Sequence, residues 1–280
     1  MIADANTHAS VYSIDAENLT VDYNGKVVLH DATLKLPTGV ICGLIGMNGS
    51  GKSTLFKALM GFITPGKGTV KIQGRSMREA QKRSLVAYVP QSEDVDWNFP
   101  ISVWEVVLMG RYGLMNPLRI PSVTDKAEAE RALKRVNLWD FRGRQIGELS
   151  GGQKKRTFVA RALAQRAAIM LLDEPFAGVD AQTERAMMKL MLELRTEGTT
   201  MLISTHELTS VTEFCDHVAL VKKTVLAYGP TEEVFTPKNL ALTFDGLLHN
   251  LAIGVKPDAM KAERELAKEQ QEAAAANIAP

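Results

Sequence analysis

Eight consecutive residues, Gly46-Met47-Asn48-Gly49-Ser50-Gly51-Lys52-Ser53, leave this chain few folds to choose from. They fit the pattern G-x-x-x-x-G-K-[ST]. Its glycines lack Cβ atoms, so successive backbone N–H groups can converge on phosphate oxygens at the start of a helix. The pattern carries meaning only between a strand and a helix. Both are legible here: the apolar run 40–45 reads as a strand, and residues 54–60 read as a helix opening at Thr54. Lys52 is then placed to reach the β- and γ-phosphates, and the Ser53 hydroxyl to complete a Mg²⁺ shell. The chain is expected to bind a nucleoside triphosphate.

A hundred residues later comes Leu149-Ser150-Gly151-Gly152-Gln153-Lys154-Lys155-Arg156, a second Ser-Gly-Gly nest at the mouth of a helix whose apolar face carries Phe158, Val159, Ala162 and Leu163. The stretch 168–175 then runs Ala-Ile-Met-Leu-Leu-Asp-Glu-Pro, an apolar strand ending in two carboxylates, Asp173 and Glu174. A strand apolar on both faces marks a buried parallel sheet, whose ligands bind at the carboxyl ends of the strands. Residues 200–203 form another such strand and end in Ser204-Thr205-His206.

In this order the segments resemble the ATP-binding subunit of an ABC transporter, over about residues 12–235. The resemblance implies an α/β fold: a P-loop core with a mainly parallel sheet, an antiparallel β-subdomain and an inserted helical subdomain. It implies ATP and Mg²⁺ as ligands, with Asp173, Gln91 and Ser53 on the metal. It gives catalysis to Glu174 as general base, with His206, Lys52 and Gln91 beside it. The split between Asp173 and Glu174 is expected from neighbours on one strand pointing to different faces. Tyr23, before Asn24-Gly25, matches the ring that stacks on adenine, although Tyr before Asn-Gly also reads as a plain hairpin residue. Asp180 matches a loop that crosses between subunits. Ser150, Gly151, Gly152 and Gln153 match the signature that completes the ATP site of a second copy, so a homodimer with ATP at its interface is implied.

Composition fits a soluble enzyme. At 280 residues, 45% hydrophobic and 23% charged, the chain can bury a large core. A net charge of +1 provides no basic footprint, so no nucleic-acid partner is expected. No apolar stretch reaches the roughly 18 residues of a membrane span, and the start lacks signal-peptide character. Cys42 and Cys215 are expected to be buried, and the scattered histidines to form no metal site.

Residues 1–10 read as flexible, 11–235 as the ATPase domain with its helical subdomain at about 91–158, and 236–280 as an extension, helical in part. Within that extension 261–276 reads as an exposed helix or a frayed tail, with the helix favoured. After Gln91, Trp97, Phe99 and Trp104 suggest a groove for a short helix of a membrane subunit. The run 90–100, with Met109-Gly110-Arg111-Tyr112-Gly113, is similar to the ATPases of bacterial importers for manganese and ferrous iron, with zinc importers close by. That similarity implies two permease subunits, an extracytoplasmic metal-binding protein, and a peripheral place on the cytoplasmic face of the plasma membrane. The alternatives are zinc or another imported substrate, or a soluble iron–sulfur assembly ATPase.

Overall fold

The computed structural model describes residues 12–91 and 95–245, so the expected loose N-terminus and the 261–276 helix lie outside the described residues. Strands β1 (Tyr12–Tyr23) and β2 (Lys26–Pro37) form a hairpin. Asn24 and Gly25 turn it with φ of 53° and 82°, the pair of left-handed residues that a two-residue hairpin turn needs. A simple period of two over Ile14, Ala16 and Leu19 would put Leu19 on the opposite face. The structure resolves the conflict with a register shift between Ala16 and Leu19, where Asn18 takes a φ of 51°, and all three apolar residues are fully buried. Strands β4 (Lys67–Ile72) and β5 (Arg75–Ser76) complete an antiparallel sheet of order β2-β1-β4-β5.

The second sheet contains β3 (Ile41–Ile45), β6 (Val86–Val89), β7 (Ile169–Asp173), β8 (Thr200–Thr205), β9 (His217–Val221) and β10 (Val225–Pro230), in the order β10-β9-β3-β8-β7-β6. All neighbours are parallel except β10 on β9. Each central strand serves two cores. From β3 and β7, Ile41, Ile45, Met170 and Leu172 join one hydrophobic cluster, while Cys42, Leu44, Ile169 and Leu171 join the other. That double burial is why these strands read as unbroken apolar runs. The second cluster also holds Ile14 and Leu34 of the antiparallel sheet and Leu55 and Phe56 of α1 (Lys52–Leu59), with α2 (Met77–Lys82) contributing Ala80. Cys42 and Cys215 are both buried free thiols, and burial pushes the Cys215 thiol up to about 12.

The first cluster lies under α5 (Gly151–Gln165), α6 (Ala181–Thr196) and α7 (Leu208–Phe214), and extends to α3 (Val103–Met109) and α4 (Val123–Arg135). Helices α3, α4 and α5 each open on a serine capping box, Ser102 with Glu105, Ser122 with Asp125 and Ser150 with Gln153. Helix α4 ends just before Asn137, which turns to a φ of 55°. Arg111 ties the three helices together. Its Nε donates to Asp125 at 3.0 Å and its Nη1 to the Ala164 carbonyl at 2.9 Å. Trp97 and Trp104 do not form an open aromatic groove. Trp97 packs edge-on to Phe158 at 5.5 Å beneath Lys154, and Trp104 packs on Trp139 at 6.1 Å; of the three aromatics expected there, Phe99 is exposed. The chain then passes through α8 (Thr231–Val234) to α9 (Pro237–Thr243).

Gly110 marks where α3 meets α5: a Cβ there would stand 2.1 Å from the Arg161 carbonyl oxygen. Gly110→Ala should therefore cost about 1–3 kcal/mol of stability by overpacking. Gly143→Ala, where a Cβ meets nothing within 4 Å, is the control. Urea unfolding reads the difference as a lower midpoint at unchanged slope for the first variant only.

Candidate active site

The loop from Gly46 to Ser53 leaves the end of β3 and enters α1 at Lys52. Gly49 and Gly51 take φ of 75° and 104°, a region that side chains avoid. Gly46 has no room for a Cβ, which would approach the Val221 carbonyl to 2.3 Å. No side chain caps α1, which leaves its dipole and first amides able to receive an anion. The Ser50 hydroxyl is buried without a hydrogen-bond partner, an orphan that a phosphate oxygen would satisfy.

Above the loop lies a cavity of about 830 Å³, lined by residues 46–54, Gln91, Asp173, Glu174 and His206, with Val28 and Phe244. Lys52 folds back over the loop, donating to the carbonyls of Gly46 at 2.6 Å and Met47 at 3.1 Å. Burial holds its ammonium below the ordinary lysine value, and the Glu174 and Asp173 carboxylates oppose that depression.

Asp173 ends β7 directly opposite Ser204 of β8. The Ser204 hydroxyl donates to the Asp173 carboxylate, and Tyr88 Oη reaches the other oxygen at 3.5 Å. The same hydroxyl accepts from the Glu174 N–H at 3.0 Å. Strand alternation is not what separates the two acids. Glu174 stands beyond the strand with a φ of 47°, and this left-handed turn redirects its side chain. Gln91 Nε2 lies 3.5 Å from one Glu174 oxygen and His206 Nδ1 3.4 Å from the other, while Lys155 donates to the Glu174 carbonyl at 2.8 Å.

The remaining expected residues lie outside the cavity lining. Tyr23 sits at the exposed end of β1. Ser150 and Gln153 cap α5, and Asp180 caps α6 by accepting from the N–H groups of Gln182 and Thr183. These two caps adjoin each other: a Cβ on Gly152 would meet the Thr183 methyl at 3.4 Å, and one on Gly151 the Gly178 carbonyl at 3.9 Å. Sequence reasoning missed Ser204, Lys155, Val28 and Phe244. A strand order placing β8 beside β7 would have exposed Ser204, whereas Phe244 carries no local signal.

The buried Lys52 ammonium makes a pH test. Between its folded value and 10.5, the unfolded chain binds more protons than the folded one, so stability rises with pH in that window. Lys52→Met should flatten the rise in urea unfolding followed across alkaline pH. An unchanged slope would count against a charged, desolvated Lys52.

A family model described as ABC transporter matches residues 29–177. The chain is 57% identical over 235 residues to the manganese transport system ATP-binding protein of Synechocystis sp., covering 84% of this chain and 90% of that one. It is 56% identical over 236 residues to the chelated iron transport system membrane protein YfeB of Yersinia pestis, covering 84% and 80%. An ABC transporter solved in an inward-facing conformation superposes with a TM-score of 0.74 at 29% identity, over 84% of this chain and 89% of its own. With its glycine loop, paired acids and Ser-Gly-Gly cap all in place, the chain belongs to the ABC transporter family and is one of its ATP-hydrolysing subunits.

Proposed function

We propose that this chain powers the import of a divalent transition metal, manganese or iron, working as two copies on the cytoplasmic side of two permease subunits fed by an extracytoplasmic metal-binding protein. The cargo reading is supported by relatives named for manganese and chelated iron at 57% and 56% identity. Among the described residues no helix is long and apolar enough to cross a membrane. The observation that carries the two-copy reading is the separation within one chain. The phosphate loop, Asp173, Glu174, Gln91 and His206 share a cavity, while Ser150, Gly151, Gly152, Gln153 and Asp180 lie outside it. A symmetric second copy offers its Ser150–Gln153 nest to the open side of this one's ATP.

Ser53, Asp173 and Gln91 present hydroxyl, carboxylate and amide oxygens at the cavity, a hard donor set that fits Mg²⁺. When bound, the ion neutralises charge on the β- and γ-phosphates. The chain does the rest. Gly46 to Thr54 hold the phosphates, and Lys52 swings from its two carbonyls to the γ-phosphate. Glu174 accepts the proton of the attacking water, and His206 bonds the γ-phosphate. Ser204 and Lys155 fix the backbone of Glu174, so the base is aimed before ATP arrives. The permease helix is assigned to the open groove of about 340 Å³ among Met60, Phe62, Met77, Tyr88 and Met109, with Gly110 and Gly113, rather than to Trp97. We assign the adenine ring to the Tyr23 side.

Glu174→Gln should keep ATP binding, nearly stop turnover and trap an ATP-bound dimer on size exclusion, because an amide cannot take the proton. Neither Ser150→Arg nor Lys52→Ala should hydrolyse ATP alone, yet their mixture should regain activity, since each heterodimer holds one site with both faults and one with neither. A mixture as inactive as its parts sinks the shared site. For the cargo, vesicles carrying the permease and this chain should take up radiolabelled manganese or ferrous iron only with ATP inside, and uptake of neither ion overturns the metal reading.

A further inference from the structure

The loop that carries the general base is gripped from α5 by one ammonium group. Lys155 stands one and a half turns into that helix. Its Nζ donates to the Glu174 carbonyl at 2.8 Å and to the Ala177 carbonyl. The loop is fixed at both ends. The Glu174 N–H donates to the Ser204 hydroxyl at 3.0 Å, and Asp180 accepts from the N–H groups of Gln182 and Thr183 as it caps α6. Between them the Ala177 N–H closes on the Glu174 carbonyl at 3.3 Å. Lys155 holds the same turn from outside.

The helix that supplies this ammonium opens on the Ser150 cap, with the Ser150 N–H donating to Gln153 at 2.9 Å. The next residue, Arg156, donates from Nη1 to the Val136 carbonyl at 3.1 Å, which joins α5 to the end of α4. Lys155 itself lies in the lining of a small pocket with Trp97, Phe158, Pro175 and Met187. Burial there pulls its ammonium below the ordinary lysine value, and the Glu174 carboxylate opposes that effect. A desolvated cation on two main-chain carbonyls makes charge-assisted bonds of fixed geometry. One side chain therefore connects the start of α5 with the turn that aims Glu174.

This inference rests on the two-copy reading, in which the two ends of that connection serve different ATP molecules. Glu174 acts on the ATP of its own phosphate loop, while Ser150 to Gln153 are lent to the ATP of the other copy. We propose that Lys155 is a positioning residue for both sites at once, tying the aim of this chain's base to the seating of the nest that this chain lends its partner. A shift of α5 at one ATP is then felt by the base at the other.

Full chains carrying two different affinity tags can be loaded with ATP in the absence of Mg²⁺ and isolated as mixed dimers. Adding Mg²⁺ then starts a single turnover, read as phosphate released. Dimers of Lys155→Met alone should release it about ten- to a hundredfold more slowly than unmodified dimers. The mixed dimer of one Lys155→Met and one unmodified chain is the decisive case. A shared role slows both phosphates, because the altered chain misaims its own base and misplaces the nest it lends. A role confined to Glu174 leaves half the phosphate at the normal rate. Ser204→Ala, whose lost hydroxyl bonded Asp173 and Glu174 of its own chain, should give that half-fast pattern as the control. Lys155→Arg should restore the normal rate, and Lys155→Gln repeats the test should the methionine variant fold poorly. A half-fast mixed dimer, or no slowing in Lys155→Met alone, overturns the proposal. If ATP assembles no dimer even of Glu174→Gln chains, the two-copy reading falls first; if it does and the mixed dimer is half-fast, only this inference falls.

Discussion

Burial on both faces of the parallel sheet is the constraint from which the site follows. Strands β3, β7 and β8 are sealed between two hydrophobic clusters, so a charged group along their length would have no water and no partner. Polar chemistry is confined to where the strands end. Because they run parallel, they end along the same edge. From β3 comes the phosphate loop, from β6 Gln91, from β7 the two acids, and from β8 Ser204 and His206. Four segments far apart in sequence converge without any of them having to turn back.

What was legible in the sequence was local. The glycine loop declares itself because its spacing and its flanking strand and helix are contiguous, and the same holds for Asn24-Gly25 as a hairpin turn. What depends on strand order was not. Ser204 faces Asp173 only because β8 lies beside β7, a fact that no window of residues contains. Leu19 looked out of phase until the bulge at Asn18 returned it to the core. Trp97 and Trp104 had the composition of a docking face, but Phe158 and Trp139 had already claimed them. Periodicity tells that an aromatic is amphipathic in context; it does not tell which neighbour reaches it first.

Electrostatics in the cavity run against the fold and in favour of the ligand. Lys52 is buried with its ammonium on two carbonyls, and burial disfavours its charge there although the Glu174 and Asp173 carboxylates oppose that effect. The orphaned Ser50 hydroxyl adds a second unmet demand. Both are relieved by one polyanion, so part of the ligand's affinity is the removal of discomfort already present. A site arranged this way is complementary to a polyanion.

The left-handed backbone at Glu174 has an implication for anyone trying to harden this protein. A non-glycine residue in that region carries a cost of roughly 1–2 kcal/mol, held in place here by Ser204 and Lys155. Asparagine tolerates the conformation better than glutamate does. A selection for heat resistance alone, blind to turnover, would therefore drift toward asparagine at position 174 and return a sturdier chain with its base removed. Thermal robustness and activity pull on this one backbone angle in opposite directions.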